Sequence, residues 1–300
     1  MKIALTGSHG FIGRNLSDFL KKKGFEARSI SRFLICGNME DLASSLAGTD
    51  VVVHLAGAPV MQRWTKRNRQ IIHASRVVTT WNLVKAMDFL ESARRPKVFI
   101  SISAVGIYAP GNQHDEHSQN LSKNFLGAVV TDWENASTDL DREIRRVIFR
   151  SGVVLGKDSQ MVRKVMPFFK LGLGGKIGNG KQPFPFIHID DLVRIFYESM
   201  IRDDYEGVYN LVAPEQAANE TFTKLLSRHL NRPAFFRVPP VFLKMILGEA
   251  SATLLEIPAV VPGRLTSEAN YQFRYPTLSS ALLEILNSGH PSGEAHGSCV

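Results

Sequence analysis

The chain has 300 residues, 44% of them hydrophobic, with a formal net charge of +8 and two cysteines. That length and apolar content exclude a wholly disordered chain and allow one large domain, or a domain with a smaller lobe. The basic residues are scattered, and their densest clusters, at 21–23 and 66–69, carry no interleaved aromatics, so no nucleic-acid partner is expected.

Cys36 and Cys299 are too few and too far apart for a disulfide framework or a zinc site. No signal pattern opens the chain, and no apolar run approaches the ~18 residues of a membrane span. A cytoplasmic protein without a membrane partner is the expectation.

In chain order, "KIAL" (residues 2–5) is a short apolar run that feeds "TGSHGFIG" (6–13). From Phe11 the apolar positions shift to helical spacing, through Ile12, Leu16, Phe19 and Leu20, until Gly24 closes the helix. Residues 25–31 read as the next strand, followed by a short apolar "FLIC" and a helix over 40–46. "DVVVHLAG" (50–57) is a buried strand with a glycine stop. Residues 64–93 read as long and largely helical, 97–103 as a strand, 132–143 as a helix, and 146–156 as holding a further strand. Strands alternating with helices predict right-handed βαβ units: an α/β protein with a Rossmann-type, doubly wound parallel sheet.

Past Gly156 the texture changes. "KLGLGGKIGNGKQPFPF" (170–186) is dense in glycine and proline and reads as loop. "GVYNLVAP" (207–214) reads as an added strand, and Asn219 as the cap of a helix running to Asn231. Helical stretches over 241–286 are broken by "IPAVVPG". The expected organisation is a nucleotide-binding domain over 1–215, a smaller, mostly helical C-terminal lobe over 238–287, and a frayed polar tail over 288–300.

A strand that enters a glycine loop and leaves it as a helix suits a phosphate, because the first-turn N–H groups point outward at the positive end of the helix dipole. Gly7 permits the tight turn, Gly10 lets a pyrophosphate approach the backbone, and Gly13 lets the helix pack closely. About 20 residues further on, a carboxylate would select NAD by its ribose 2′-hydroxyl. This chain has Ser31 and Arg32 there. A guanidinium beside a hydroxyl suits a 2′-phosphate, so the expected cofactor is NADP(H). Asn38 falls where an adenine edge could be met.

"TGSHGFIG", "HLAG" and "SISAVGIY" make the chain similar to the extended short-chain dehydrogenase/reductase superfamily. More closely, it resembles that superfamily's NAD-dependent epimerase/dehydratase-like proteins of the SDR39U1 and YfcH type. The matching signatures are "SRVVTT", "DWENA", "RSGVVLG", "GLGGKIGNGKQ", "FIHIDDL", "YNLVAPE", "LGEAS" and a final F-x-Y-P, in order from residue 3 to about 285. The resemblance implies a Rossmann-type domain and the small C-terminal lobe (DUF1731-like) that this branch carries. It also implies cofactor contacts at the glycine loop with Phe11 and Ile12, at Ser31, Arg32, Leu55, Ala56 and Gly57, and at Arg76 and Val154.

Such reductases ordinarily move a proton with a tyrosine whose pKa is lowered by a lysine four residues on. None of the six tyrosines here has that lysine, and the helix that should carry the pair reads "GAVVTDWENAS". Ser103, at a strand end, remains as the hydroxyl that polarises a substrate oxygen, with Tyr108 as a substitute acid or as a packed aromatic. The segment Asp132-Trp133-Glu134 could bring a carboxylate, with Trp133 anchoring the core. "HDEH" (114–117) reads as a solvated loop rather than a metal site, and no metal is expected. Gln182, in a glycine-rich segment able to act as a lid, and His188, after a strand, are candidate substrate contacts.

Two readings stay open. One is an NADP(H)-dependent oxidoreductase or epimerase-like enzyme acting on a small polar substrate. The other is an NADPH-binding sensor without turnover.

Overall fold

The computed structural model describes residues 1–287; the tail expected at 288–300 lies outside them. The first half runs β1 (Ile3–Thr6), α1 (Phe11–Lys22), β2 (Ala27–Ile30), α2 (Arg32–Ile35), α3 (Met39–Leu46), β3 (Val51–His54), α4 (Lys66–Ala74), α5 (Val77–Asp88), β4 (Val98–Ala104), β5 (Gln113–His114), α6 (Phe125–Asn135) and β6 (Arg145–Ser151). The second runs β7 (Val153–Leu155), α7 (Gln160–Lys170), β8 (Gly175–Ile177), β9 (Phe186–His188), α8 (Ile189–Ile201), β10 (Gly207–Leu211), α9 (Asn219–Leu230), β11 (Phe236–Val238), α10 (Pro240–Leu247), α11 (Ala252–Leu255), β12 (Ala259–Val260), α12 (Gly263–Ser267) and α13 (Leu278–Asn287).

The central sheet has six strands in the order β2-β1-β3-β4-β6-β10, every pair parallel. Its two faces can be read from the period-2 alternation of side chains. Leu5, Val53, Ile100 and Phe149 point to one core, shared with Leu16 of α1 and Phe196 of α8. Ala4, Val52 and Phe99 point to the other, shared with Leu42 of α3 and Leu83 of α5. Burial on both faces explains why these strands are continuously apolar. The chain leaves β1 for β2 on one side and β3 on the other, so the order reverses between β1 and β3, where an open α/β sheet leaves a crevice at its carboxyl edge.

A further core draws together Leu155, Val162, Phe169, Phe186, Phe222 and Leu282. It joins α7, β9, α9 and α13, so residues before and after position 215 fold around one apolar centre.

Several boundaries differ from those expected, each for a local reason. The 64–93 helix is two helices, broken at Ser75-Arg76: Ser75 caps α4 and its hydroxyl also accepts from the Ala58 N–H at 3.0 Å. The helix expected from 132 begins at Phe125, because Asn124 caps it by accepting from Gly127 N–H at 2.8 Å, and it ends at Asn135. The strand in 146–156 divides at Gly152, where an added Cβ would lie 2.6 Å from the Pro185 carbonyl oxygen; β7 then pairs with β9. The glycine-rich segment holds β8, paired with β11. Asn219 does not cap α9: Ala218 stands at the cap, and Asn219 accepts from Ile177 N–H at 2.9 Å. The "HDEH" loop is no solvated turn. His114 is 2% exposed and stacks on Tyr108, while Glu116 accepts from the N–H groups of Asn210 and Arg264. It pins the C-terminal segment to the sheet.

Candidate functional site

The crevice starts from Thr6, the last residue of β1. Its hydroxyl accepts from Leu55 and Ala56 N–H at 3.1 and 3.2 Å and lies 2.7 Å from Nδ1 of His54. On the other side His54 Nε2 lies 3.3 Å from the Thr79 hydroxyl. Thr6, with its lone pairs facing two amides, donates to Nδ1, which fixes a neutral imidazole protonated at Nε2. Burial, aided by the Arg76 charge, pushes the His54 pKa from 6.5 down to about 3. This group therefore contributes stability that is complete above pH 6.5 and is lost as pH falls toward 3, because only the unfolded chain takes up its proton readily. Its share of the loss between pH 6.5 and 5 is expected to be about 2 kcal/mol. Urea unfolding at pH 7 and pH 5 checks this: His54→Gln should show a pH dependence smaller by that amount, and an unchanged dependence would refute it.

Gly7 has φ +70°, a conformation that glycine adopts without strain, and an added Cβ there would lie 2.8 Å from the Leu55 carbonyl carbon. The loop thus lies against the end of β3. The N-terminus of α1 has no side-chain cap and no acidic residue in its first turn, which leaves its outward amides for an anion.

Two adjoining cavities meet at Gly7 and Gly10. One, about 310 Å³, is walled by Phe11, Ile12, Gly13, Leu55, Val153 and Val154, with residues 159–161 of the α7 N-terminus opposite. The other, about 610 Å³, passes Ala56 and Gly57 to reach Ser31 and Arg32 at the end of β2, with Ser8, His9 and Ser29 beside them. The Ser8 and Ser29 hydroxyls are 2.6 Å apart. Ser31 caps α2 by accepting from Leu34 N–H at 3.2 Å, and Arg32 is exposed on the first turn of that helix.

Arg76 comes to the crevice from below. Its guanidinium lies 3.2 Å from where a Gly57 Cβ would stand, and 5.2 Å from the Trp133 ring centroid. It donates to the Ile72 carbonyl at 3.2 Å, and burial pushes its pKa down to about 10. A half-buried cation without a carboxylate partner among the described residues favours an anion nearby.

Asn38, Gln182 and His188 do not line these cavities and are engaged elsewhere in the fold. Asn38 caps α3, its side chain accepting from Glu40 N–H at 2.7 Å and Asp41 N–H at 3.3 Å. Gln182 donates to the Ile177 carbonyl at 3.2 Å and the Leu254 carbonyl at 3.5 Å, tying the glycine-rich segment to the C-terminal lobe. His188, 1% exposed, caps α8, lies 2.9 Å from a Glu284 carboxylate oxygen, and packs on Tyr275.

Ser103 ends β4 but is 4% exposed, and its hydroxyl donates to Glu134 Oε1 at 2.6 Å. Glu134 accepts twice more from Arg150, at 2.9 and 2.7 Å. Arg150 also donates to the Tyr108 hydroxyl at 2.8 Å, which donates to Asn210 Oδ1 at 2.8 Å. Burial holds the Tyr108 phenol above its usual pKa although Arg150 pulls the other way. Both hydroxyls belong to one buried network, and each has its proton engaged there, by Glu134 for Ser103 and by Asn210 for Tyr108. Of the 132–134 segment, Asp132 pairs with His73 on the outer side, Trp133 packs in the core, and Glu134 reaches Ser103.

A third cavity, about 190 Å³, opens past the carboxyl ends of β4 and β6. Leu126 of α6 faces it, 3.0 Å from where a Gly106 Cβ would stand, and Val130, four residues on, is buried. α6 reads FLGAVVTDWEN and so brings neither a tyrosine nor a lysine to this cavity. This cavity and the one at the glycine loop share Val153.

Sequence reasoning passed over Ser8 and His9, although both lie inside the glycine motif. It had no signal for Ser29, for residues 159–161, or for the walls that Trp64 and Glu256 supply, since nothing local says which distant segments meet.

A parallel sheet with a glycine loop at its switch point and an open helix N-terminus beside a basic strand end defines a Rossmann-type dinucleotide-binding protein. The comparisons with known proteins narrow this. The chain belongs to the NAD dependent epimerase/dehydratase family, whose model matches residues 3–211. A domain of unknown function, DUF1731, matches residues 238–285. The mouse epimerase family protein SDR39U1 is 36% identical over 295 residues, 95% of this chain and 100% of that one. The crystal structure of human epimerase family protein SDR39U1 with NADPH superposes with TM-score 0.89 at 34% identity, covering 96% of this chain and 99% of the other. UDP-glucuronic acid 4-epimerase from Bacillus cereus, with UDP-glucuronic acid and NAD, has TM-score 0.76 at 20% identity over 96% and 98% of the chains, a likeness of fold. Among the described residues no helix is long and apolar enough to cross a membrane.

Proposed function

We propose that the protein is an NADP(H)-dependent oxidoreductase of the epimerase family, acting on a small substrate held beyond β4 and β6. The observation that carries this reading is that the cavity at the glycine loop and the cavity beyond β4 and β6 share a wall at Val153. A dinucleotide lying along the first would bring its reactive ring to the second, where the cofactor supplies or accepts a hydride. The glycine loop would hold the pyrophosphate, Arg76 would offset its charge, and Arg32 with Ser31 would meet the 2′-phosphate. The human relative's NADPH complex supports the choice of cofactor. The residues over 1–215 would form the nucleotide-binding part, and those over 238–287 would close the substrate side.

Arg32→Ala is expected to weaken NADPH binding by about 1–3 kcal/mol, the worth of a charge-assisted hydrogen bond, and to leave NADH nearly unchanged. Fluorescence titration with both cofactors measures it, and equal losses would overturn the 2′-phosphate assignment. The enzymatic reading is tested by following NADPH absorbance over a panel of small carbonyl compounds.

A second reading, an NADPH-binding sensor, is favoured by an α6 that carries neither tyrosine nor lysine and by the engaged protons of the Ser103 and Tyr108 hydroxyls. Tight NADPH binding with no turnover across the panel, and a partner protein recovered only with cofactor present, would select it.

A further inference from the structure

The cavity beyond β4 and β6 has an unusual lining for a relative of nucleotide-sugar enzymes. Its walls are largely apolar, with Val105, Leu126, Val153, Ile257, Pro258 and the ring of Trp64 among them. Its ionisable side chains are Tyr108 and Glu256. The Tyr108 hydroxyl is occupied by Arg150 and Asn210. Glu256 stands just after α11, exposed at the mouth, and among the described residues its carboxylate has no hydrogen-bond or ion-pair partner. No lysine, arginine or histidine among those residues lines this cavity.

An outer cavity of about 440 Å³ shares Trp64, Asn124, Ala252 and Glu256 with it and adds Lys244 and Glu249. Glu249 is paired with Arg69, so the charges left facing the outer space are one ammonium and the Glu256 carboxylate. The N-terminus of α6 reaches the rim, where Asn124 already takes one of its amides, that of Gly127. A nucleoside diphosphate carries two or more negative charges and needs cations or open amides to replace its hydration. Among the described residues these walls offer it one lysine, opposed by a carboxylate, and at the rim only the first amides of α6. The inner space, about 190 Å³, is also below the roughly 300–1,000 Å³ of sites that enclose drug-sized ligands.

We propose that this pocket binds a small, mainly apolar molecule carrying a protonated amine, whose ammonium is held by Glu256, and that it does not bind nucleotide sugars. The apolar walls take the body of the ligand by burial, and Glu256, among the described residues the only carboxylate on an inner lining that holds no cation, fixes its charged end. The inference rests on the proposed function only for the cofactor's position beside the pocket.

The test uses the full chain saturated with NADPH, with benzylamine, benzoate and UDP-glucose as probes in saturation-transfer NMR and calorimetric titration. Benzylamine is expected to bind, with benzoate and UDP-glucose failing to compete for its site. Glu256→Gln keeps the shape of an exposed side chain and should fold normally; it is expected to weaken benzylamine binding on the order of fivefold, as for an ion pair at a half-open site. NADPH affinity should not change. UDP-glucose binding more tightly than benzylamine would overturn the proposal, and so would equal benzylamine affinity in the variant. NADPH titration is read separately, so loss of the cofactor assignment leaves a Glu256-dependent amine signal intact and distinguishable.

Discussion

Arg150→Ala is expected to lower the unfolding free energy by about 3–5 kcal/mol, the usual effect of removing one partner from a buried ion pair. The Arg150 and Glu134 side chains are 10% and 12% exposed and joined by two hydrogen bonds. Burial alone works against the Arg150 cation, yet Glu134 and Tyr108 outweigh it and hold its pKa above the usual arginine value. Without the guanidinium, the Glu134 carboxylate keeps only the Ser103 hydroxyl, and Tyr108 loses a donor deep in the protein. Thermal unfolding should fall by roughly 10 °C for a chain of this size. Arg150→Met with Glu134→Leu removes both charges together and should recover part of the loss, since no buried carboxylate is then left without its cation, although Ser103 and Tyr108 each still lose a partner. A single variant as stable as the parent would show that the network is not a structural tie.

Gly13→Ala is expected to reduce NADPH affinity at least a hundredfold and stability by about 1–3 kcal/mol, the typical strain of overpacking. Its Cβ would press into the Gly7 carbonyl oxygen and lie 2.8 Å from Ser8 Cα. Both neighbours are backbone, so the loop itself must move and the helix amides lose their aim. Gly10→Ala separates the two effects. Its Cβ would meet only the Gly7 carbonyl oxygen, at 3.2 Å. That variant should melt close to the parent while still losing cofactor, because the new methyl group occupies the approach to the loop. Denaturant titration beside NADPH titration checks both, and a Gly10→Ala protein that binds NADPH normally would move the pyrophosphate elsewhere.

The sequence by itself determined the sheet. Residues 2–5, 50–57 and 97–103 are apolar on both sides of the strand, and only strands buried on two faces need that pattern. It also determined the glycine loop, because a positive φ at Gly7 and the lack of room at Gly13 act over a few neighbouring residues. Ser31 and Arg32 were legible for the same reason: a fixed spacing along one βαβ unit carries them to the strand end. What surrounds Ser103 was decided only by the tertiary structure. Its partner Glu134 lies 31 residues away, and no local pattern distinguishes a hydroxyl aimed at substrate from one tied to a buried carboxylate. His188 looked like a pocket residue from its strand end, but Glu284, 96 residues on, takes its ring. Asn38 and Asn219 show the limit of reading polar residues locally: one caps a helix and the other accepts from a strand amide 42 residues back. Glu256 meets Trp64 and Leu126 around one cavity because α11 and α6 both wall it. Spacing and periodicity report forces that act along the chain, whereas the walls of the cavity beyond β4 and β6 come from segments nearly 200 residues apart, brought together by packing alone.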